Sequence, residues 1–465
     1  MMHKRAENST YETVLSLIMF RLPLVLSGVF QQLYNWVDAY IVGHFVGEAA
    51  LAAIGATGAI TLCITFAIIG FTSGLSVLAA QQYGKGDIQY VGRLLKSFLH
   101  LLLPLSVILS LAAIWRNADL IRWMNTPDDM VALSRDYLRI ILTGVPFLVI
   151  YNLYAGMLRA MGNSKAPFRA ILLSSVINVV LDIILIAVAG YGVTGAAAAT
   201  VISQIVMTSY VLIYASARYD IFRLPDIFGI SRKLPQKDKR GPDWHVLRNG
   251  CRFAVPLTIQ ECIGTFGRVI LQSFMNGFGT HTVAAITTAY RLDSLMLLPL
   301  LELGTAISTM VAQSHGGGDQ RKAEEYFRVG LALCVFNALL LTVIMFFFGG
   351  SLIAVFGLRG EALQTGALFF RHICWYYFLC GISTALRSAL QGKGRVLYVS
   401  AAGILVLIFR IGFSYLLRES LGSMAIAHAE GLSWIFAVCC YMTGDGSLSR
   451  IVRDRTKTKQ CNGEE

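Results

Sequence analysis

The stretch SGLSVLAAQQYGKGD (residues 73–87) returns later in the chain as TAISTMVAQSHGGGD (305–319). An offset of 232 residues sets Gln81 on Gln313, Gly84 on Gly316, Gly86 on Gly318 and Asp87 on Asp319. In both copies an apolar run gives way to a short, glycine-rich turn that closes on an aspartate. A second echo, at an offset of about 230, sets LRAMGNSK (158–165) against LRSALQGKGR (386–395). A long-range repeat of this kind marks one structural unit written twice.

Composition says what the unit is made of. Of 465 residues 55% are hydrophobic and only 14% charged, too little charge for a soluble globular domain. Apolar runs of roughly 20 residues, the length that crosses a hydrocarbon core of about 30 Å, recur with polar breaks between them. Twelve spans are predicted, at 14–42, 51–79, 95–115, 133–157, 167–189, 193–215, 250–277, 283–312, 327–348, 363–389, 396–417 and 422–444. The expected fold is an all-α polytopic membrane protein, about twelve transmembrane helices in two six-helix lobes. Six is even, so both lobes start on the same side and a pseudo-twofold axis along the membrane normal should relate them. The expected division is an N-terminal lobe at 1–215, a cytoplasmic linker at 216–248, a C-terminal lobe at 249–445 and a polar cytoplasmic tail at 446–465. A cleft between two such lobes is where transporters of several folds bind substrate.

The formal charge of +12 invites a nucleic-acid partner, but the location of the basic residues argues against one. With a cytoplasmic N-terminus, most of the 39 Lys and Arg fall in cytoplasmic segments, the bias that orients membrane proteins. The longest basic stretch, SARYDIFRLPDIFGISRKLPQKDKRGPDWHVLRNG (216–250), shows no regular aromatic-interleaved binding pattern and reads as a linker on the anionic inner leaflet. The opening MMHKRAENST is short and polar, and the apolar run after it is too long for a cleavable signal, so the first span should insert directly. The nine cysteines show no C-x-x-C spacing and read as small packing residues. H-E-x-x-H and G-x-S-x-G are both absent, and no enzyme activity is expected.

Charged groups inside a membrane cost about 2.5–3.5 kcal/mol at the centre of a helix on insertion scales, so each asks for a partner, water or a proton. Asp38, in QQLYNWVDAYIVG (31–43), lies near the outer end of the first span, fifteen residues after a helix-bending Pro23. It is either a functional carboxylate or an interfacial residue reaching the headgroups. In the fifth span, SSVINVVLDIILIAV (174–188) puts Asn178 and Asp182 four apart, on one helix face. The sixth span opens GVTGAAAATVISQ (192–204), whose alanines permit close helix approach. Counted from the turn between these spans, Asp182 and Thr200 sit at one depth, roughly 12 Å in at 1.5 Å per residue. Amide, carboxylate and hydroxyl oxygens at one level suit a monovalent cation such as Na+, or a shared proton; a hydrogen-bonded packing cluster is the alternative.

An offset of 230 maps Asn178 and Asp182 near Ile408 and Gly412, and Thr200 onto Glu430. Arg410 and Glu430 then lie at matching depth and are predicted to form a structural ion pair. Glu261 and Arg268, seven apart in the seventh span, are expected to share a face, with Glu261 the functional candidate of the second lobe.

Taken together, Pro23 followed by QQLYNWVDAYIVG, then ALAAIGAT, GFTSGLSVLAAQQYGKGD, LRAMGNSKAP, NVVLDIILI and GVTGAAAATVISQ, in a two-times-six layout, resemble the multidrug and toxic compound extrusion (MATE) family of bacterial type. The likeness covers nearly the whole chain. It implies a secondary antiporter of the bacterial inner membrane, with both termini cytoplasmic, that expels cationic amphiphilic compounds against an inward flow of H+ or Na+. It also implies a coupling site of Asp38, Asn178 and Asp182, with Thr200 and Tyr137 as polar neighbours, a carbonyl from Ala196, and Pro23 as the bend of the first helix. The tenth span, RHICWYYFLCGIS (371–383), has no acid among its aromatics, a departure from relatives that bind Na+ in the second lobe. The resulting expectation is that protons or Na+ neutralise Asp38 and Asp182 from outside, the cationic drug leaves, and the first helix bends at Pro23. No cofactor beyond the coupling ion is expected; the partners are small cations and lipid, without nucleic acid, and a monomer suffices. The rival is a lipid-linked sugar flippase of the same superfamily, which would need a basic cavity built from Arg268, Arg291 beside Asp293, and Arg410.

Overall fold

The computed structural model describes residues 2–124, 126–223 and 242–445, without the side chains of 2–9, 129 and 445. Residues 224–241 of the predicted linker and the predicted tail lie outside the described residues. The described chain is helical throughout, with no strand among the described residues. The helices are α1 (Met2–Phe45), α2 (Glu48–Gly84), α3 (Ile88–Trp115), α4 (Asp128–Ala160), α5 (Lys165–Asp182), α6 (Gly192–Arg218), α7 (Trp244–Asn276), α8 (Thr280–Gly316), α9 (Gln320–Val355), α10 (Gly360–Ile373), α11 (Tyr377–Gly392), α12 (Val396–Leu416) and α13 (Ala425–Asp445), joined by shorter helical turns. Each of the twelve predicted spans falls on a helix or on a broken helix. Ten of the described helical stretches are long and apolar enough to cross a membrane by themselves. The other two spans differ for visible reasons. α7 carries Arg252, Gln260, Glu261 and Arg268 along its length, and a 3-10 turn at Cys374–Tyr376 divides the tenth span into α10 and α11.

The repeat is written in the turns. α2 ends at Gly84, and Gly86 turns the chain at φ +82°. The Asp87 N–H then reaches back to the Gln82 carbonyl at 3.0 Å, while the Asp87 carboxylate accepts from the Tyr90 N–H at 2.8 Å and caps α3. In the second copy Gly318 has φ +80°, the Asp319 N–H bonds the Ser314 carbonyl at 3.0 Å, and Asp319 caps α9 through the Lys322 N–H at 2.9 Å. The same closure follows α4, from Asn163 N–H to Leu158 at 2.9 Å around Gly162, and follows α11, from Arg395 N–H to Leu390 at 3.0 Å around Gly394. Gly162 and Gly394 are also 232 apart, as are Gly47 and Gly279, which both take positive φ. One chain closure, repeated at an offset of 232, fixes where α2, α4, α8 and α11 stop and the next helix begins.

A Cβ at Gly86 or Gly318 would meet nothing within 4 Å, so substitution there costs backbone strain alone. Gly86→Ala and Gly318→Ala are each expected to destabilise by about 1–2 kcal/mol, the left-handed penalty of a non-glycine residue. Thermal unfolding of the purified protein in detergent checks this; an unchanged midpoint in both variants would contradict it.

Packing repeats with the turns. α4 lies against α3 and α6, and α5 against α6; in the later half α11 lies against α9 and α13, and α12 against α13. The described residues group into two compact units. One comprises Met19–Glu261 with Gly316–Gly318; the other comprises the residues up to Ile18, Cys262–His315 and those from Asp319 on. Grouping by packing thus divides α1, α7 and the last residue of α8 between the units, where grouping by repeat counts each of them whole.

Candidate functional site

The functional candidates of the first unit are brought together by a small apolar plug. Ile41 and Val42 of α1, Ala50 of α2, Val193 and Ala196 of α6 and Ile186, which follows α5, form one buried cluster, with Val37 and Tyr137 packed against it. Burying four or five such side chains contributes on the order of 1.5–3 kcal/mol each for the larger ones, enough to fix α1 against the α5–α6 hairpin. Asp38 follows Val37 directly and so is delivered to that hairpin. Pro23 lies inside α1, which stays helical through it; the Ser27 hydroxyl donates to the Pro23 carbonyl at 2.7 Å.

On the other side, Asn178 and Asp182 occupy the buried face of α5, 2% and 0% exposed. The α-helix ends at Asp182, and Ile183–Val188 continue as a π-helix, a wider turn that accommodates extra residues and recurs at functional sites. The Asp38 and Asp182 carboxyl groups face each other within hydrogen-bonding reach. Tyr137 of α4 is close enough to interact electrostatically with both, and Tyr34, one turn before Asp38 on α1, with Asp38. Thr200 bonds within its own helix, its hydroxyl donating to the Ala196 carbonyl at 3.1 Å, and makes no hydrogen bond to Asn178 or Asp182.

The chemistry of the cluster lies in what its polar atoms lack. Asp38 Oδ1, both carboxylate oxygens of Asp182, and Asn178 Oδ1 and Nδ2 are all buried, and none has a hydrogen-bond partner among the described residues. Buried polar atoms are nearly always paired, and each unpaired one costs about 1–3 kcal/mol. Two carboxylates cannot bond each other while both are ionised, since neither has a donor; unit charges about 4 Å apart repel by about 4 kcal/mol at an effective dielectric of 20. A proton on one carboxyl supplies the missing donor. Alternatively, a monovalent cation is met by oxygens of two aspartates and one amide, the hard donors that suit it. The arrangement can therefore accept a positive charge and release it.

The second half answers these positions with other residues. The turn-defined offset of 232 aligns Asn178 with Arg410 and Asp182 with Ser414. This corrects the sequence expectation, in which an offset of 230 leads to Ile408 and Gly412. Beyond the turn the offset does become 230, with Gly192 at φ +56° matching Gly422 at φ +55°, so Thr200 matches Glu430 as expected. The two extra residues of the first half fall in the stretch that holds the π-helix. Arg410 Nη2 and Glu430 Oε2 are 2.7 Å apart, and the Tyr290 hydroxyl accepts from that nitrogen and donates to that oxygen, both at 3.0 Å. The second half thus carries a tethered guanidinium at the position of Asn178, where the first half leaves polar atoms unpaired.

Glu261 is half-buried on α7, its Cγ lying where a Cβ on Gly70 of α2 would come within 3.1 Å. The Arg268 guanidinium donates to Thr265 Oγ1 at 3.1 Å, one turn before it on α7, and Arg291 is exposed on α8. Sequence reasoning missed Tyr34, although its i, i+4 spacing to Asp38 was available, and missed the π-helix, which has no local signature.

The MatE family model matches this chain twice, over residues 23–184 and 256–416, one match per repeat. Among curated proteins, "Probable multidrug resistance protein YpnP" of Bacillus subtilis is 29% identical over 425 residues, covering 91% of this chain and 92% of its own length. "Probable multidrug resistance protein NorM" of Thermotoga maritima is 23% identical, covering 82% and 80%. The "FAD transporter" of Shewanella oneidensis is 25% identical, covering 78% of each. A solved structure described as an outward-facing conformation of a multidrug resistance MATE family transporter superposes with a TM-score of 0.84 at 22% identity, over 95% of this chain and 97% of that one. The chain has that fold, and with most of its length in two matches to one family model it belongs to the MatE family of multi-pass membrane transporters.

Proposed function

We propose that this chain is a multidrug efflux antiporter of the bacterial inner membrane, with cytoplasmic termini, exporting cationic amphiphilic compounds in exchange for H+ or Na+. The observation that carries the reading is the set of five buried, unpartnered polar atoms on Asp38, Asn178 and Asp182. A binding site for a positive charge, opened and filled in alternation, is what coupling to a cation gradient requires. Filling it removes a negative charge that attracts a cationic drug, so ion entry favours drug release. Relatives described as probable multidrug resistance proteins support multidrug export. A pairing of Arg410 with Glu430 weighs against the flippase alternative, since a guanidinium held by a carboxylate is a poor anion ligand. One chain holding the whole cluster supports a monomer as the working unit.

The test is efflux of ethidium from liposomes of purified protein, with a pH gradient and a Na+ gradient imposed separately. Efflux driven by either gradient is expected and identifies the ion. No efflux from well-folded protein under either would overturn the antiport reading and bring anionic or lipid-linked substrates forward.

A further inference from the structure

Two histidines of the later half meet, and the coupling site uses neither. His372 stands in the last turn of α10, just before the 3-10 turn Cys374–Tyr376 that divides the tenth span, and His428 stands near the start of α13. His428 Nε2 and His372 Nδ1 are 3.1 Å apart, and the rings meet at 67° with centroids 4.9 Å apart. The other ring nitrogen of His428, Nδ1, lies 3.1 Å from the Tyr376 hydroxyl. Tyr376 is itself seated on α13: its ring lies where a Cβ on Gly431 would come within 2.2 Å, so the bare backbone of a glycine admits it.

Both histidines are half-buried, nine and six residues into the spans predicted to begin at 363 and 422. With a cytoplasmic amino terminus, as proposed above, both spans begin at the outer side, which gives the pair a path to the exterior. Packing does not call for two imidazoles here. Phe369, Phe370 and Ile373 already share an apolar cluster with Ala425, Ile426 and Ala427, which holds α10 to α13. Ionisable side chains within membrane spans are rare, and those that occur mark functional sites by default.

We propose that His372 and His428 form a binding site for a divalent transition metal such as Zn2+, with Tyr376 holding His428 in its binding orientation. Neutral imidazole is a preferred ligand of Zn2+, Cu2+ and Ni2+. Zn–N bonds of about 2.0–2.1 Å at tetrahedral angles set two ligand nitrogens about 3.3–3.4 Å apart, so the pair closes on a metal after a shift of a few tenths of an ångström. In the bound form His428 Nδ1–H donates to the Tyr376 hydroxyl and His372 carries its hydrogen on Nε2. That leaves His428 Nε2 and His372 Nδ1 as two lone pairs for the metal. A partner on the other ring nitrogen is the usual arrangement of a metal-binding histidine, since it fixes tautomer and ring orientation. The carbonyl end of α10 adds a partial negative charge that favours a cation. Among the described residues no group of three or more His, Cys, Asp and Glu gathers around a metal position, so water completes the coordination and binding is reversible. A metal held there ties the broken tenth span to α13.

Calorimetric titration of Zn2+ into the tag-free, metal-stripped protein in detergent tests this. Wild type is expected to bind one equivalent that His372→Gln and His428→Gln each lose, while both variants unfold near the wild-type temperature in the absence of metal. Tyr376→Phe keeps both ligands and should retain that equivalent with about tenfold weaker affinity. X-ray absorption at the zinc edge of the wild type should show two imidazole nitrogens at about 2.0–2.1 Å, which keeps the proposal open to refutation if a histidine variant fails to fold. No binding by wild type, uptake undiminished in both histidine variants, or a zinc spectrum without imidazole would overturn the proposal and leave His372 and His428 as a hydrogen-bonded packing pair. The titration needs neither gradient nor drug, so its outcome is independent of the antiport reading.

Discussion

Asp38→Asn and Asp182→Asn are each expected to reduce gradient-driven ethidium efflux to the level of protein-free liposomes while leaving a folded protein. Asparagine matches the shape of aspartate and keeps its hydrogen-bonding capacity, but its charge cannot change. In the native cluster the two facing carboxyls have no donor between them, and an added proton or cation meets their unpartnered oxygens. An amide at either position supplies a donor permanently, which satisfies the other carboxyl and removes the charge repulsion. The variants should therefore unfold at the same temperature as wild type or above it. That combination, loss of transport without loss of stability, separates a coupling site from a packing cluster. If Asp38 were an interfacial residue reaching the headgroups, Asp38→Asn would transport normally, and only Asp182→Asn would show a defect.

The fold was legible because its punctuation is local. A left-handed glycine followed by a capping aspartate is set by four or five consecutive residues, so the match of 84–87 with 316–319 read from letters alone survives as one hydrogen-bonded closure in both halves. The spans were legible because a bilayer imposes a length. The register of the polar positions was less so: LRAMGNSK was set against LRSALQGKGR by letters, and only the positive-φ pair of Gly162 and Gly394 fixes the shift at 232. A π-helix carries no residue pattern of its own, so the stretch that changes the offset between Asn178 and Gly192 was invisible. Matching depth put Asn178, Asp182 and Thr200 at one level, yet depth says nothing of rotation, and Thr200 turned its hydroxyl to its own helix. The sequence set Asp293 beside Arg291; that one is buried and the other exposed depends on which face of α8 meets α11 and α13, a matter of tertiary packing.

Removing the tethered charge of the second half should have the larger effect on stability. Arg410→Met leaves the Glu430 carboxylate 6% exposed with the Tyr290 hydroxyl as its remaining donor. Breaking a buried pair from one side costs about 3–5 kcal/mol, because the surviving charge loses its partner while staying out of water. The guanidinium also lies over the Tyr290 ring, its Cζ 5.8 Å from the centroid, and methionine cannot replace that cation–π attraction. The expected result is a protein of lowered yield and lowered unfolding temperature. Arg410→Met combined with Glu430→Gln should recover most of the loss, since replacing both members of a buried pair by neutral groups is often close to neutral. Additive destabilisation in the double variant would show that the two residues act independently. The pair also differs from the first-half cluster in function: there the counter-charge comes and goes, whereas Arg410 is part of the chain and cannot leave. Glu430→Gln should accordingly unfold more easily yet still export once folded, with efflux per folded molecule close to wild type. Normal folding and yield together with abolished efflux in Glu430→Gln would make this pair part of the ion pathway rather than its fixed counterpart.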